Sequence, residues 1–221
     1  MKSASIFLIL FCIALIISSS SCKKNSGESS LPSFPVTMYI TGVVDKSGAR
    51  MFTNKHEIFD TAIINRFVGN STFYKPHTGI FEEHDIITFK SADTALFTWS
   101  SMKFSYTLQD NLYLFYSKEL SIQINPFNRT AVLLDTTLKY RSPKIVVPAG
   151  TNLLNWLTKE VRVGRGNYSE MDLSVLSYKI SSNGGTYSGR LINEFNEAAV
   201  SVYGPNDTVA VLSYVYRLRS R

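Results

Sequence analysis

The densest group of residues that could bind a metal lies in one short segment of the chain. It contains His77 and His84, together with Glu82, Glu83 and Asp85. Imidazole nitrogens and carboxylate oxygens are ligands that suit zinc or manganese. If the segment is extended, however, neighbouring side chains point to opposite faces and no more than two of these ligands can converge. We therefore interpret the segment as a solvated loop before a strand, and we predict no metal site.

Signatures of nucleophilic and nucleotide-dependent catalysis are incomplete in this sequence. The run Gly185–Gly189 places its serine one position too late for the Gly-x-Ser-x-Gly nucleophile elbow. The run Gly164–Gly166 lacks the third glycine of a dinucleotide-binding loop, and the chain contains no P-loop motif. We therefore predict a binding protein rather than an enzyme, and one without a cofactor.

A set of aromatic residues lies within predicted strands, and tyrosine combines an apolar ring with a polar tip. If these residues point into a barrel, they could line a site for a small hydrophobic ligand. If they point outward, they could stack on sugars, and simple packing in a core is the third alternative. The residues that we single out as ligand-binding candidates are Trp99, Tyr106, Tyr116, Tyr178 and Tyr214.

Charge and cysteine content exclude several classes of protein. The 221 residues carry a net charge of +6, but the basic residues are scattered instead of forming the stripe that is typical of nucleic-acid binding. The two cysteines, Cys12 and Cys22, both lie near the N-terminus. The rest of the chain therefore has neither an internal disulfide nor a thiolate metal site. We expect its stability to come from burial of an apolar core.

Residues 1–21 have the pattern of a secretory signal peptide. Lys2 supplies the positive charge, Ile6–Ile17 is a run of twelve apolar residues, and four serines follow. Twelve helical residues span about 18 Å, which is well short of the ~30 Å hydrocarbon core of a bilayer. A cleaved signal is therefore favoured over a permanent transmembrane helix.

The serines are followed at once by Cys22 and two lysines, and the whole arrangement resembles a bacterial lipoprotein signal. This resemblance implies cleavage just before Cys22 and diacylation of that cysteine; an ordinary signal peptide with an incidental cysteine is the alternative. Two acyl chains would attach the protein stably to a membrane of the cell envelope. By similarity to lipoproteins of gram-negative cells, Lys23 implies the outer membrane. The lack of an acidic cluster after the cysteine favours the periplasmic face over surface exposure.

Three segments follow from these patterns. They are a signal peptide over residues 1–21, a lipid anchor with a flexible tether over residues 22–35 and one folded domain over residues 36–221. The tether is polar, contains glycine and serine and includes two prolines near its end. We expect it to hold the domain away from the lipid headgroups.

The folded domain is predicted to be organised around residues 85–117. Four runs there are rich in β-branched and aromatic residues, and the polar breaks between them are short enough to predict a β-meander. Helical spacing predicts one short helix at Lys55–Val68, with a strand as the alternative, and a second helix at Thr151–Glu160. Further strands are predicted at Val36–Val44, Ser121–Asn125, Arg129–Thr136, Lys144–Val147, Asp172–Ser181, Ala198–Tyr203 and Thr208–Leu218.

About ten strands and at most two short helices predict a single all-β domain. An antiparallel barrel or a two-sheet sandwich would pair the edges of so many strands, and we favour the barrel. The run Ile87–Ser117 also resembles lipocalin-like domains of bacterial lipoproteins. This resemblance implies a barrel that carries or senses a small hydrophobic molecule. The alternative function is a structural or adhesive module that binds glycan or an envelope protein.

Overall fold

The computed structural model of this chain describes residues 31–69, 73–74, 85–98, 102–120, 122–148 and 154–221. The predicted lipidation site Cys22, the histidines His77 and His84, and Trp99 lie outside the described residues. The part of the chain from Pro32 to Arg221 packs as one compact unit. Within the described ranges, no helix is both long enough and apolar enough to cross a membrane.

The described part of the chain consists mainly of fourteen β-strands. These are β1 (Val36–Lys46), β2 (Arg50–Thr53), β3 (His56–Ile58), β4 (Asp85–Phe89), β5 (Thr94–Phe97), β6 (Met102–Gln109), β7 (Leu112–Ser117), β8 (Ile122–Ile124), β9 (Ile145–Pro148), β10 (Leu154–Thr158), β11 (Val161–Gly166), β12 (Glu170–Ser182), β13 (Gly185–Leu191) and β14 (Thr208–Ser220). Three short helices accompany them: α1 (Thr61–Val68), α2 (Arg129–Thr137) and the 3₁₀ helix η1 (Glu197–Val202).

Eight of the strands close into an antiparallel barrel, in the order β12, β11, β7, β6, β5, β4, β1 and β14. The barrel closes because β14 pairs with β1 along one edge and with β12 along the other. At the closure, Met171 lies opposite Leu218, and Leu173 lies opposite Tyr216. The prediction of an all-β fold with a barrel is thus confirmed, and the sandwich alternative is wrong.

The two strands that close the barrel, β12 and β14, each contain 13 residues and continue beyond it. In this extension β12 pairs with β13, while β14 pairs with β2, which in turn pairs with β3. A second apolar core lies on the outer face of the extension, where α2 and η1 cover it. Its buried members are Phe52, Leu133, Leu176, Tyr178, Ile180, Ala199, Tyr203, Val209 and Val211.

The predicted β-meander is confirmed as strands β4 to β7. Asp110 and Asn111 adopt left-handed φ angles of 50° and 64° between β6 and β7, as a tight two-residue hairpin turn requires. Other strand predictions are confirmed with shifts of a few residues at their ends. These are the strands predicted at Val36–Val44, Ser121–Asn125, Lys144–Val147, Asp172–Ser181 and Thr208–Leu218.

The helix predicted at Lys55–Val68 begins later, as α1. Asn54 and Lys55 adopt left-handed φ angles of 45° and 68° and form the turn between β2 and β3. Asp60 caps α1, because its side chain accepts the backbone N–H of Ala62 at 2.8 Å. The predicted start was wrong because an Asn followed three residues later by Glu imitates a capped helix.

The strand predicted at Arg129–Thr136 is helix α2, and the strand predicted at Ala198–Tyr203 is η1. The side chain of Asn128 caps α2 by accepting the backbone N–H of Ala131 at 3.3 Å. Leu133 of α2 is fully buried in the second core. Tertiary packing therefore overrides the β-branched residues that favoured a strand.

A separate small sheet has the order β8, β10, β9. In its central strand, Trp156 pairs with Ile124 on one side and with Val146 on the other. This strand corrects the helix predicted at Thr151–Glu160. The leucines of that segment match helical spacing, but a central strand covered on both sides has a similar short apolar run.

Candidate functional site

The interior of the barrel is filled by apolar and aromatic side chains. A barrel of eight strands has an interior that side chains can just fill, or that can hold one small ligand. The buried residues that face this interior include Met38, Ile87, Phe89, Ala95, Phe97, Phe104, Tyr106, Tyr113, Phe115, Met171, Leu173, Val175, Tyr214, Tyr216 and Leu218. Any ligand site inside the barrel is therefore small and mostly aromatic.

Aromatic rings cluster most densely at one end of the barrel, which we call the tyrosine end. Its five members are Phe34, Phe89, Tyr106, Tyr113 and Tyr168. The Tyr168 ring packs edge-on against Phe89, with 5.0 Å between ring centroids, and against Tyr113 at 5.7 Å. Phe34 in turn packs edge-on against Tyr168 at 5.6 Å. The ring of Tyr168 therefore occupies a slot whose walls are other aromatic rings.

The hydroxyl groups at the tyrosine end form a defined network. Tyr106 donates its hydroxyl proton to the Ser91 carbonyl oxygen at 2.9 Å, and its oxygen lies 2.9 Å from the Tyr168 hydroxyl. Because a hydroxyl has one proton and a carbonyl can only accept, Tyr168 must donate to the Tyr106 oxygen. Burial raises the pKa of Tyr106 above its usual range, so the Tyr106 proton stays in place at physiological pH.

The hydroxyl of Tyr113 is fully buried next to that of Tyr168. Burial raises the pKa of Tyr113, and the neighbouring Tyr168 hydroxyl raises it further. The tyrosine end therefore holds three hydroxyl groups close together between aromatic rings.

A tight turn between β11 and β12 positions Tyr168. Gly166 has φ of 134°, and a Cβ atom there would lie only 2.2 Å from the Glu170 carbonyl oxygen. The Asn167 side chain accepts the backbone N–H of Ser169 at 2.8 Å and that of Glu170 at 3.0 Å. These bonds hold the backbone of the turn, while the half-buried Tyr168 side chain points into the barrel.

A charged side chain lies in the barrel far from the turn that carries Tyr168. Arg162 is 5% exposed, and its guanidinium carbon lies 4.4 Å from the ring centroid of Phe97 and 4.5 Å from that of Phe104. Its Nε donates to Glu160 at 2.7 Å. Cation–π contacts and an ion pair together compensate a buried charge. The arrangement closes this part of the interior.

The residues predicted to bind a ligand do not converge on one place. Tyr106 lies at the tyrosine end, whereas Tyr214 lies deeper in the barrel and donates to the Phe73 carbonyl oxygen at 3.1 Å. Tyr178 belongs to the second core outside the barrel, and Tyr116 is half-buried on the outer face of β7. Their role in binding stays a prediction.

Two residues of the interior were missed because they lie where the sequence predicts a loop or no element. Tyr168 follows the glycine-containing run 164–167, and only its aromatic character distinguished it. Arg162 lies between Val161 and Val163, and this alternation could have indicated strand β11 and an arginine on the opposite face.

A small concave site, with a cavity volume of about 30 Å³, lies outside the barrel between the end of α2 and strands β10 and β11. Its polar groups are already engaged with each other. Asp135 pairs with the Lys144 amine at 2.5 Å, and the Ser142 and Thr158 hydroxyl oxygens are 2.5 Å apart. The described side chains include no group of three or more His, Cys, Asp or Glu that could hold a metal.

Comparisons with known proteins give no assignment. No family model, no curated protein and no solved structure matches this chain.

Proposed function

We propose that the chain is a cell-envelope lipoprotein whose β-barrel binds a small hydrophobic ligand without catalysing a reaction. The observation that carries this proposal is the cluster of aromatic rings and hydroxyl groups at the tyrosine end of the closed barrel, where Phe89 and Tyr113 pack edge-on against Tyr168 and the Tyr106 and Tyr168 hydroxyl oxygens lie 2.9 Å apart. Apolar walls with a few placed polar groups are typical of small-molecule sites. The hydroxyl groups of Tyr106 and Tyr168 would supply the polar contacts that orient such a ligand.

The packing of the barrel limits the size of this ligand. Phe97, Phe104 and Phe115 are fully buried, with 4.9 Å between the centroids of the first two rings and 5.2 Å between those of Phe97 and Phe115. Interiors packed in this way leave few voids larger than a water molecule. The proposed ligand is therefore far smaller than a fatty acid and binds near one end of the barrel.

The membrane attachment in this proposal depends on Cys22. Two acyl chains on the mature N-terminal cysteine would anchor the domain stably, and Lys23 and Lys24 would lie close to anionic headgroups. We place the protein in the outer membrane with its domain facing the periplasm, where small hydrophobic molecules pass between the two membranes.

A second candidate function rests on a different observation. In the small sheet, β9 is one of the two edge strands among the described residues, and its residues Ile145 and Val146 are 51% and 55% exposed. Exposed apolar residues on an unpaired edge favour contact with another chain. A structural or adhesive module that binds an envelope protein or glycan is therefore the alternative.

The test is mass spectrometry under native conditions of the protein extracted from its own envelope. A small molecule bound at one copy per chain would support the ligand-binding proposal and would identify the ligand class. A domain that is empty in every preparation would contradict it. In that case, crosslinking from positions 145 and 146 would test the alternative, with an exposed position on β13, Tyr187, as the control site.

A further inference from the structure

We propose that strand β9 pairs with β9 of a second copy of this chain, so that two small sheets of three strands join into one sheet of six. The two strands run antiparallel about a two-fold axis at Val146. This inference goes beyond the proposed function, because the ligand site lies inside the barrel and does not involve β9.

The terminal strands of the two described sheets differ in how they are protected. Natural edge strands avoid pairing with other chains by being very short or by carrying polar and charged residues. Strands β3 and β8 have only three residues each, and β13 carries Thr186, Ser188 and Arg190. Strand β9 reads Ile-Val-Val-Pro, and Ile145 and Val146 are 51% and 55% exposed. Because neighbouring residues of a strand point to opposite faces, both faces of β9 are uncovered.

The charged residue that precedes β9 does not protect this edge. The Lys144 amine lies 2.5 Å from a carboxylate oxygen of Asp135 on α2, and 4.4 Å from the ring centroid of Trp156. Trp156 belongs to β10, which is the neighbour of β9 on the side away from its free edge. A lysine on an edge strand normally discourages pairing with another chain. Lys144 is instead held against its own helix and sheet.

Pro148 determines which backbone groups of β9 face the second copy. A proline is tolerated in an edge strand when its nitrogen faces solvent, because it cannot donate to a neighbouring strand. Alternate residues of a strand direct their backbone groups to the same side, so Val146 presents its N–H and C=O on the free edge. Across the two-fold axis, each Val146 N–H donates to the other Val146 carbonyl, and each Lys144 N–H donates to the other Pro148 carbonyl.

The side chains of β9 are complementary to those of a second copy. With Val146 on the axis, Ile145 of each copy lies opposite Val147 of the other, so apolar side chains meet apolar ones. The two Lys144 residues lie at opposite ends of the pair, roughly 13 Å apart along the strands, which exceeds the screening length of about 8 Å. A parallel pair would place the two lysines side by side. The antiparallel pair therefore covers both apolar edges without bringing like charges together.

The experiment is sedimentation velocity of the full chain, purified in detergent, at concentrations up to about 200 µM. We expect a reversible dimer with a micromolar dissociation constant, because four residues from each copy make a small interface. Val146→Lys should weaken the dimer at least about tenfold, since it places two like charges directly opposite each other. The control Tyr187→Lys, at a position 52% exposed on edge strand β13, should leave the dissociation constant unchanged.

A second variant separates backbone pairing from side-chain contact. Val146→Pro keeps an apolar side chain but removes the N–H that donates across the axis. It should also weaken the dimer at least about tenfold. Near-ultraviolet circular dichroism checks that both variants keep the wild-type fold.

A cysteine at the same position tests the pairing without weakening the strand. Residues directly opposite each other in a hydrogen-bonded antiparallel pair have Cα atoms about 5.5 Å apart, which suits a disulfide. Val146→Cys should therefore form a disulfide-linked dimer on mild oxidation, and Tyr187→Cys should not. The wild-type chain gives the background from Cys12 and Cys22.

Three results would overturn the proposal. A chain that stays monomeric at every concentration would leave β9 open to a segment of a different protein. A dimer that Val146→Lys does not weaken would have its interface elsewhere. A dimer that is weakened by Val146→Lys but not by Val146→Pro, with no disulfide from Val146→Cys, would be held by side-chain contact without strand pairing.

Discussion

At the scale of single residues, Asp207 joins helix α2, strand β12 and the segment after η1. It is 2% exposed and accepts hydrogen bonds from Arg129 at 2.5 Å, from the Ser182 hydroxyl at 2.7 Å and from the Gly204 backbone at 2.7 Å. Burial alone would raise the pKa of this carboxyl, but the hydrogen bonds and the charge of Arg129 outweigh burial and hold the pKa below its usual value.

We expect Asp207→Asn to lower the free energy of unfolding by about 2–4 kcal/mol, since it removes the charge that Arg129 pairs with and reduces the number of acceptors. Chemical denaturation at pH 7 measures this loss. Asn206→Ala, at the exposed neighbouring position, is the control and should change the value by less than about 0.5 kcal/mol.

The effect of Asp207 should depend on pH with a definite sign. A carboxyl whose pKa is lower in the folded state stabilises the fold fully above its unfolded pKa of about 3.9, and this stabilisation is lost as pH falls through the lower folded value. The difference between wild type and Asp207→Asn should therefore be constant from pH 7 to about pH 5 and shrink in more acidic solution. If the difference grew on acidification, the ionised carboxylate of Asp207 would not be the form that stabilises the fold.

Buried tyrosines make the opposite prediction for alkaline solution. Burial raises the pKa of Tyr203 and of Tyr214 to about 12. A group whose pKa is raised on folding contributes its stabilisation fully below the unfolded pKa of about 10, and the contribution is lost as pH rises towards the folded value. We therefore expect some of the 12 tyrosines to ionise late, together with unfolding, in a titration followed at 295 nm.

The matched variant for this titration is Tyr203→Phe. It removes one late-ionising group and leaves the exposed tyrosines, such as Tyr187, unchanged. The late amplitude should fall by one tyrosine. If all tyrosines of the wild-type protein ionised near pH 10 while the circular dichroism spectrum stayed native, the burial of Tyr203 and Tyr214 would be contradicted.

At the scale of elements, Asn193 attaches a connecting segment to the barrel. Its side-chain amide donates to the carbonyl oxygens of Tyr140 and Val161 at 2.9 and 3.0 Å, and its side-chain oxygen accepts the backbone N–H groups of Tyr140 and Glu194 at 3.1 and 2.9 Å. The residue is 1% exposed. All four hydrogen-bonding positions of the amide are thus used, three of them on the segment after α2 and on strand β11.

We expect Asn193→Asp to lower the free energy of unfolding by about 3 kcal/mol, because a carboxylate cannot donate to the two carbonyls and would bury a charge. Urea denaturation measures the change, and Asn206→Asp at an exposed position is the control. A loss of less than about 1 kcal/mol would mean that the segment is held by other contacts.

Elements whose chemistry is local could be predicted from the sequence, and elements that depend on distant partners could not. The β6–β7 hairpin is visible because Asp110 and Asn111 tolerate the left-handed conformation that its turn needs. In contrast, α2 and η1 contain β-branched residues that suit a strand, and their packing against the second core favours the helical form. The same holds for the candidate site. Tyr106 could be predicted because it lies on a strand with alternating polarity, whereas Tyr168 could not, because it enters the barrel from a turn.

At the scale of the whole molecule, barrel closure was predicted as a class of fold but not as a register. Alternation of apolar and polar residues indicates which side chains face inward, and about ten strands favour closure because closure leaves no open edge. The pairing of residues 170–181 with 208–219 joins distant parts of the chain, and nothing local determines it. The same pairing creates the second core, which the sequence did not indicate.

The predicted lipid on Cys22 would connect the folded domain to a membrane. We expect Cys22→Ser to release the protein into the soluble fraction with an unchanged fold, because the substitution removes the acceptor of both acyl chains. Cell fractionation with an alkaline wash measures the release, and near-ultraviolet circular dichroism of the soluble protein checks the fold. Cys12→Ser is the matched control, because that cysteine lies in the apolar part of the predicted signal and should leave attachment unchanged.

The two variants separate lipid attachment from every other cause of membrane association. If Cys22→Ser still sediments with membranes after the wash, the anchor is not a lipid on that cysteine, and exposed apolar residues such as Ile145 and Val146 become the first candidates for contact. If both variants are released, the effect is not specific to Cys22. Attachment would then depend on the apolar segment that contains Cys12, and not on a lipid. Release of Cys22→Ser alone would show that a lipid on this cysteine attaches the domain to the membrane.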